Sequence, residues 1–350
     1  MSEQPQVSVQ RWTRTSITVA AGSGVALVVL ALVPFWFTQN TTEKLTELFV
    51  LIILAAMWNA LAGYAGLVSV GQQAFIGIGA YGVIVFTNHG VNGYAAVLAA
   101  AVLAAAISLP TSLIAFRLRG GQFAIGMWVV AEVFRLLLTN DSALGGGTGV
   151  SLNVLDVYSP ANRQAYTYWV ALGFLVVLLV AGLVLLRSRL GTALQAIRDD
   201  EQAAESLGVR VARAKRIIFM FAAFGCGAAG AITMINTLTI TPDSIFGVQW
   251  TAYMIFMVLL GGLGTFEGPV LGALVLFGIQ QEFQDQGSWY LVGLGAVAIA
   301  VTLLLPRGIW GAIVDRFGLR LMPVGYTLRG LIRSMAGDSA QTSEPVGERR

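Results

Sequence analysis

Long apolar segments follow one another along nearly the whole of this chain, and they constrain its fold more than any other feature. Each has about 18 to 24 residues, which lets an α-helix rising 1.5 Å per residue cross a hydrocarbon core of roughly 30 Å. Segments of about ten residues with alternating polarity, as in a membrane β-barrel, are absent. With 56% hydrophobic and 11% charged residues, most of the surface cannot face water. The sequence therefore predicts an all-α, polytopic membrane protein.

We predict about ten membrane-spanning helices after a polar segment of residues 1–16. They lie at about 17–37, 46–63, 67–87, 93–116, 122–139, 166–187, 216–238, 248–264, 268–282 and 288–306. The membrane domain is expected over residues 17–310. A polar tail, residues 311–350, follows it and is expected to be partly disordered.

Positive charges predict the orientation, because cytoplasmic loops carry the excess of lysine and arginine. If the N-terminus is inside, 18 of the 21 basic residues lie on the cytoplasmic side. The other three are Lys44 and Arg163, which are outside, and Arg135, which is within a span. Both termini are therefore predicted to be cytoplasmic.

Several kinds of chemistry are excluded by what the chain lacks. It has one cysteine, Cys226, and one histidine, His89, so neither an intrachain disulfide nor a multi-histidine metal site can form. Neither of its lysines follows a glycine-rich loop, so the chain has no P-loop for ATP. We expect no cofactor and no nucleic-acid partner, and no nucleophile and base that would make the chain an enzyme.

Two glycine-rich stretches interrupt the predicted spans: "GYAGLVSVGQQAFIGIGAY" (63–81) and "GGLGTFEGPVLGA" (261–273). Such glycines have two explanations, and the pattern leaves both open. One is tight packing of helices, and the other is discontinuous helices beside a translocation pathway. The candidate residues are Gly63, Gly66, Gly71, Gln72, Gln73, Gly77, Gly79, Gly261, Gly262, Gly264 and Gly268.

A charged loop, about residues 188–215, separates the sixth and seventh spans, and "RDDEQAAESLGVRVARAKR" (198–216) holds most of its charge. Asp199 is predicted to cap a short helix that contains Glu201 and ends at Gly208 in the left-handed conformation. Ala203, Ala204 and Leu207 form a narrow apolar stripe on this helix. A helix this short needs a docking partner, and the stripe is too small and too acidic at its flanks for lipid.

One pair of charges lies within a span. Glu132 and Arg135 are three residues apart on one helical face and can pair with each other. Three roles are open for the pair: a structural ion pair, steering of a zwitterionic substrate, and proton coupling. A proton- or sodium-coupled secondary transporter is the alternative class of function, because such proteins keep ionisable groups within the membrane.

"EQAAESLG" (201–208), preceded by "LGTALQAIRDD", resembles the cytoplasmic loop of ABC-importer permeases of the branched-chain amino-acid family. Further stretches of that family follow in order: "GYAGLVSVGQQAFIGIGAY", "LRGGQFAIGMWVVAEVFRLLLTN", "GGGTGV" and "TPDSIFGVQWTAYMIFMVLLGGLGTFEGPVLGA". The similarity covers about residues 45 to 310 and is closer to the LivM-like members than to the LivH-like members.

The resemblance implies the ABC-importer permease fold and a place in the bacterial inner membrane. It also implies a second, LivH-like permease, two ATPase subunits and an extracytoplasmic binding protein as partners, besides membrane lipid. ATP hydrolysis by the ATPase subunits would drive the import of branched-chain or related amino acids. Urea or a short amide is the alternative substrate.

Reporter fusions test the predicted orientation. A reporter after residue 150 should indicate the outside and one after residue 200 the cytoplasm, because one span separates the two positions. Activity of a periplasmic and a cytoplasmic reporter at each site is the measurement. Both positions on one side of the membrane would contradict the topology.

Overall fold

The computed structural model describes residues 8–10, 14–283, 288–305, 307–317 and 327–329, and within them the chain is almost entirely helical. The helices are α1 (Arg14–Trp36), α2 (Gln39–Ala65), α3 (Gln73–Asn88), α4 (Gly93–Ala115), α5 (Gly121–Thr139), α6 (Pro160–Arg187), α7 (Arg189–Asp199), α8 (Glu201–Ser206), α9 (Val211–Thr237), α10 (Pro242–Ile245), α11 (Gln249–Gly261), α12 (Gly268–Phe283), α13 (Ser288–Leu304) and α14 (Gly308–Phe317). The strands are β1 (Ser8–Gln10), β2 (Val150–Ser151), β3 (Thr239–Ile240) and β4 (Thr327–Arg329). Three 3₁₀ turns lie at Ser142–Leu144, Gly146–Thr148 and Val154–Val157.

The all-α membrane class is confirmed, and each predicted span contains one helix. Among the described residues, six segments are long and apolar enough to cross a membrane: Gln39–Ala65, Gly93–Ala115, Gly121–Thr139, Pro160–Arg187, Val211–Thr237 and Pro242–Gly261. Shorter apolar helices lie at Gly24–Trp36, Gln73–Asn88 and Val292–Val301. The predicted span 67–87 is helical only from Gln73 onwards, and the span predicted at 248–264 ends as a helix at Gly261. Length and composition thus support six of the predicted crossings directly, and ten remains an approximate number.

The chain divides into a terminal unit and a larger unit. The terminal unit is Met1–Val28 with Arg320–Arg350, and in it β1 pairs antiparallel with β4, so that Val9 lies opposite Leu328. The larger unit is Val29–Leu319. Helix α14 extends through Phe317, beyond the end of the predicted membrane domain, and the predicted tail otherwise lies outside the described residues apart from β4.

The core of the larger unit consists of α2, α3, α4 and α9. Helix α2 is buried along almost its whole length, and so is the glycine- and alanine-rich middle of α9. Aromatic rings close one end of this core: Phe219 packs edge-on against Phe75 and Phe116, with ring centroids 5.4 Å apart in both pairs. Outside it, β2 pairs with β3, with Val150 opposite Ile240, and joins the loop after α5 to the end of α9.

Helices α3 and α9 touch through their backbones. A Cβ added to Gly79 would lie 1.9 Å from the carbonyl oxygen of Gly227, and one added to Gly230 would lie 1.9 Å from the carbonyl oxygen of Ile76. Small residues at such crossings allow the close approach on which helix association in lipid depends. For these positions the packing interpretation of the glycines therefore holds.

We expect Gly79→Ala to destabilise the protein, because its methyl group would meet a backbone carbonyl that cannot swing aside. Overpacking of this kind costs about 1–3 kcal/mol. The matched control is Gly173→Ala in α6, where an added Cβ meets nothing within 4 Å. The measurement is the melting temperature in detergent. Equal melting temperatures for the two variants would contradict the backbone contact.

Candidate functional site

The two glycine-rich stretches meet at one junction. Gly66, after α2, and Gly262 and Gly264, after α11, have φ angles of 69°, 128° and 74°. Residues with a Cβ rarely adopt these conformations, so glycine is required where these two helices end. A Cβ added to Gly63 would lie 2.6 Å from the backbone nitrogen of Gly264, so the two stretches are in direct contact.

Asn59 joins the two sides of this junction. Its side-chain Nδ2 donates to the carbonyl of Thr265 at 2.7 Å, and its Oδ1 accepts from the backbone N–H of Gly264 at 2.9 Å. Sequence analysis missed Asn59, although a buried amide within an apolar span is a recognisable signal, since such a group needs partners. The α11–α12 turn is thus tied to the last turns of α2.

The remaining candidates of the glycine stretches lie in the packed interior. A Cβ added to Gly71 would lie 1.9 Å from the carbonyl of Met127, and one added to Gly77 would lie 2.1 Å from the ring of Phe246. A Cβ added to Gly261 would lie 1.9 Å from the carbonyl of Gly268. One added to Gly268 would lie 2.7 Å from the carbonyl of Gly262. Close packing explains these glycines as it explains Gly79.

Gln72 and Gln73 are fully buried at the start of α3. Gln72 donates from Nε2 to Ser69 Oγ at 3.2 Å, and the Oε1 of Gln73 accepts from the hydroxyl of Thr251. The chain's cysteine, Cys226, lies 3.8 Å from Gln72 Oε1 and is buried as well. These contacts connect α3 with α9 and α11 inside the chain. Whether the two glutamines contact a substrate stays a prediction.

The charged loop folds as two helices, α7 and α8, and the predicted cap is displaced by one residue. Asp200, not Asp199, is the N-cap of α8: its Oδ1 accepts from the backbone N–H groups of Gln202 and Ala203 at 2.9 and 3.0 Å. Asp199 instead pairs with Arg198, 2.9 Å away. Both residues are good caps, but the carboxylate that precedes the first helical residue lies closest to the free N–H groups.

The predicted stop at Gly208 is present. Gly208 has a φ of 84°, its N–H donates to the Glu205 carbonyl at 2.9 Å, and the N–H of Val209 donates to the Ala204 carbonyl at 3.1 Å. This pair of bonds is the Schellman arrangement, which ends a helix on a left-handed residue. Lys215 of α9 pairs with Glu201 of α8 at 2.7 Å, so both ends of this short helix are held.

The predicted apolar stripe is divided between two faces of α8. Ala204 is buried within the chain, whereas Ala203 is exposed and Leu207 is 83% exposed. The methyl group of Ala204 is covered by this chain, so Ala203 and Leu207 are the residues of the stripe that are open. Leu207 is the large apolar side chain that α8 leaves open.

Arg198 connects the charged loop to the glycine junction. From the last turn of α7, its Nη1 donates to the carbonyl of Gly63 at 2.8 Å. Its side chain also packs against Gly66, where an added Cβ would lie 3.3 Å from Cγ of Arg198. A displacement of α7 and α8 would therefore reach the ends of α2 and α11 through one side chain.

The predicted ion pair in α5 is present and has a third member. Arg135 donates from Nε to both carboxylate oxygens of Glu132 at 3.0 Å, and from Nη1 to Asp243 of α10. The side chains of Glu132, Arg135 and Asp243 are 46%, 25% and 77% exposed in this chain. Sequence analysis missed Asp243, because 108 residues separate it from Arg135.

The family model described as "Branched-chain amino acid transport system / permease component" matches residues 40–306. This chain belongs to that family. The motifs of the charged loop and of both glycine-rich stretches lie within the match, and the resemblance inferred from them is confirmed. The permease is a transport subunit and not an enzyme.

Curated relatives agree with this assignment. The permease is 30% identical to "High-affinity branched-chain amino acid transport system permease protein LivM" of Escherichia coli (strain K12), over 81% of this chain and 73% of the relative. It is 26% identical to the corresponding protein BraD of Pseudomonas aeruginosa, over 79% of this chain and 96% of the relative. "Ribose import permease protein RbsC" of Escherichia coli (strain K12) is 26% identical over 61% of this chain and 69% of the relative. With its apolar helices, the permease is a multi-pass protein of the inner membrane.

We expect Arg135→Met to destabilise the permease more than Glu132→Gln, because removing the guanidinium leaves two carboxylates facing each other. The cost should lie between about 1 kcal/mol for an exposed pair and about 3 kcal/mol for a buried one. The double variant Glu132→Gln/Arg135→Met, with only one carboxylate left, should be milder than Arg135→Met alone. Melting temperatures of the three variants in detergent are the measurement. Equal values for all three would show that the trio is not structural.

Proposed function

We propose that this permease conducts amino acids, principally those with branched side chains, into the cell as one membrane subunit of an ATP-driven importer. The substrate class rests on the names of the family and of relatives such as LivM and BraD. An ion-coupled mechanism is not favoured, because Glu132 and Arg135 of α5 are engaged with each other and with Asp243. Urea or a short amide is the alternative substrate that an uptake experiment has to separate.

The observation that carries this proposal is the capped helix α8 with its open Leu207. A helix of six residues is not stable alone in water, yet Asp200 and Gly208 cap it and Lys215 holds its side. Its fixed position presents Leu207 to the solvent, and a partner that covered this side chain would gain about 1.5–3 kcal/mol from its burial. We assign this partner role to an ATPase subunit, because the chain itself has no P-loop.

Arg198 supports a mechanism for the coupling. A change in the ATPase that displaces α8 also displaces α7, which adjoins it through Asp200. Arg198 transmits that displacement to the Gly63 carbonyl, and Asn59 transmits it onward to the α11–α12 turn. The cytoplasmic ends of α2 and α11 thereby become the place where ATP hydrolysis acts on the pathway.

We also propose that the N- and C-termini are cytoplasmic. The excess of basic residues in the loops that hold α7, α8 and α14 supports this orientation. The pairing of β1 with β4 joins a segment near each terminus and supports placing both termini on one side of the membrane. A second permease chain and an extracytoplasmic binding protein complete the proposed importer.

Uptake by reconstituted vesicles tests the function. Vesicles holding the complete importer should accumulate labelled leucine only with ATP and the binding protein present. Excess isoleucine or valine should compete, and excess urea should not. Competition by urea with no effect of valine would replace the proposed substrate by the alternative one, whereas uptake driven by a proton gradient without ATP would overturn the class of transporter.

Leu207→Asp tests the docking role of α8. We expect loss of ATPase from the purified complex and loss of uptake, because removing a buried leucine contact costs about 1.5–3 kcal/mol, at least a tenfold weaker association. The matched control is Val157→Asp, which changes an equally open apolar side chain in the loop between α5 and α6. Full ATPase recovery with Leu207→Asp would mean that α8 is not the docking helix.

A further inference from the structure

One face of α3 carries two buried polar groups that the helix bundle leaves unpaired. Gln73, Gly77 and Tyr81 have the spacing i, i+4 and i+8, so they lie on one face of this helix, which we call the polar face of α3. Gln73 and Tyr81 are 1% and 2% exposed. Among the described residues, neither Nε2 of Gln73 nor the hydroxyl of Tyr81 has a hydrogen-bond partner. A buried polar group without a partner destabilises the fold, so its presence needs another reason.

The ring of Phe246 lies between these two groups. It covers Gly77, where it leaves no room for a Cβ, and it stacks on the ring of Tyr81 with centroids 6.2 Å apart. Beyond Gly77, Oε1 of Gln73 accepts a hydrogen bond from Thr251 of α11. Gln73 and Tyr81 are about 12 Å apart along α3. The ring therefore divides the polar face into two parts, each with one unpaired polar atom.

Phe246 belongs to a segment that can move separately from α3. Residues 246–248 are not helical, and they connect the four-residue helix α10 to α11. Helix α3, in contrast, touches α9 through glycine backbones. A displacement of α10 therefore carries Phe246 away from Gly77 while the polar face of α3 stays in place.

The two unpaired groups suit a substrate that has to pass through the protein. The carboxylate of a zwitterionic amino acid accepts hydrogen bonds, and a bond to a charged acceptor is stronger than one between neutral groups. Transport also requires that the substrate is released again, so the binding must not be too strong. The amide of Gln73 and the hydroxyl of Tyr81 offer such bonds without a full opposite charge.

We propose that Gln73 and Tyr81 are successive contacts for the carboxylate of the amino-acid substrate, and that Phe246 closes the passage between them. With the ring over Gly77, the passage is shut. With the ring displaced, the substrate supplies an acceptor to each polar group in turn. This inference rests on the proposed function for the identity of the substrate. It adds the residues that contact the substrate and the side chain that blocks its path.

A leak experiment tests Phe246. Vesicles that contain the importer and are preloaded with labelled leucine should, without ATP, lose it about tenfold faster with Phe246→Ala, because passage no longer requires displacement of a buried ring. The matched control is Phe75→Ala, which truncates another buried ring of α3 that packs against Phe219 of α9. Equal leak rates for the two variants would show that Phe246 is not the gate.

Gln73→Leu and Tyr81→Phe test the contacts. Each should slow ATP-driven leucine uptake about tenfold while the complex still hydrolyses ATP, because a hydrogen bond to a charged group is worth about that factor. The matched control is Gln280→Leu in α12, which removes a buried glutamine whose Oε1 also has no partner within the described part of the chain. This control should transport normally. A lower melting temperature with unchanged uptake per ATP hydrolysed would assign Gln73 and Tyr81 a purely structural role and overturn the inference.

The unaltered importer separates this inference from the proposed function. ATP-driven leucine uptake that Gln73→Leu and Tyr81→Phe leave unchanged would overturn the inference and leave the function standing. An importer that accumulates no leucine with ATP, but leaks preloaded leucine through Phe246→Ala and not through Phe75→Ala, would support the gate and overturn the proposed function.

Discussion

In hydrocarbon every backbone N–H and C=O group needs a partner within the protein, and this requirement decides where the chain can interrupt its helices. The segment between α2 and α3 and the turn between α11 and α12 are not helical. Side chains replace the missing helical bonds there: Trp58 donates to the Ser69 carbonyl, Asn59 bonds to both Gly264 and Thr265, and Arg198 donates to Gly63. The two interruptions therefore lie next to each other, where one set of side chains serves both.

These same bonds place the charged loop. Arg198 leaves α7 to reach the end of α2, and the cap of the next helix, Asp200, follows two residues later. The position of α8 is thus determined by the way the helix ends are satisfied and by the ion pair with Lys215. The proposed docking site and the interruption within the membrane domain are consequences of one local arrangement.

Features that depend on hydrophobicity and on short-range chemistry could be predicted from the sequence. Apolar length located the helices, the spacing of Glu132 and Arg135 predicted their pairing, and Gly208 predicted the end of α8. Where two equivalent groups were adjacent, as with Asp199 and Asp200, the pattern could not choose between them, because the cap depends on where the first turn begins.

Contacts between segments that are distant in the chain could not be predicted from the sequence. Asp243 joins Arg135 only because β3 and α10 return to the end of α5, and Asn59 meets Thr265 across 206 residues. The burial of Ala204 also depends on tertiary packing. An apolar stripe on a short helix indicates that the stripe is covered, but it does not indicate whether this chain or a partner covers it. Local pattern determines the helices, and tertiary packing decides which of their faces remain open.

The backbone contact between α3 and α9 has a mechanical consequence. Where carbonyl groups of one helix rest against glycines of the other, no side chain is available to change rotamer and absorb a shift, so the two helices can only move together. With α2 and α4 packed around them, they form a stiff frame. We infer that a transport cycle distorts this frame little.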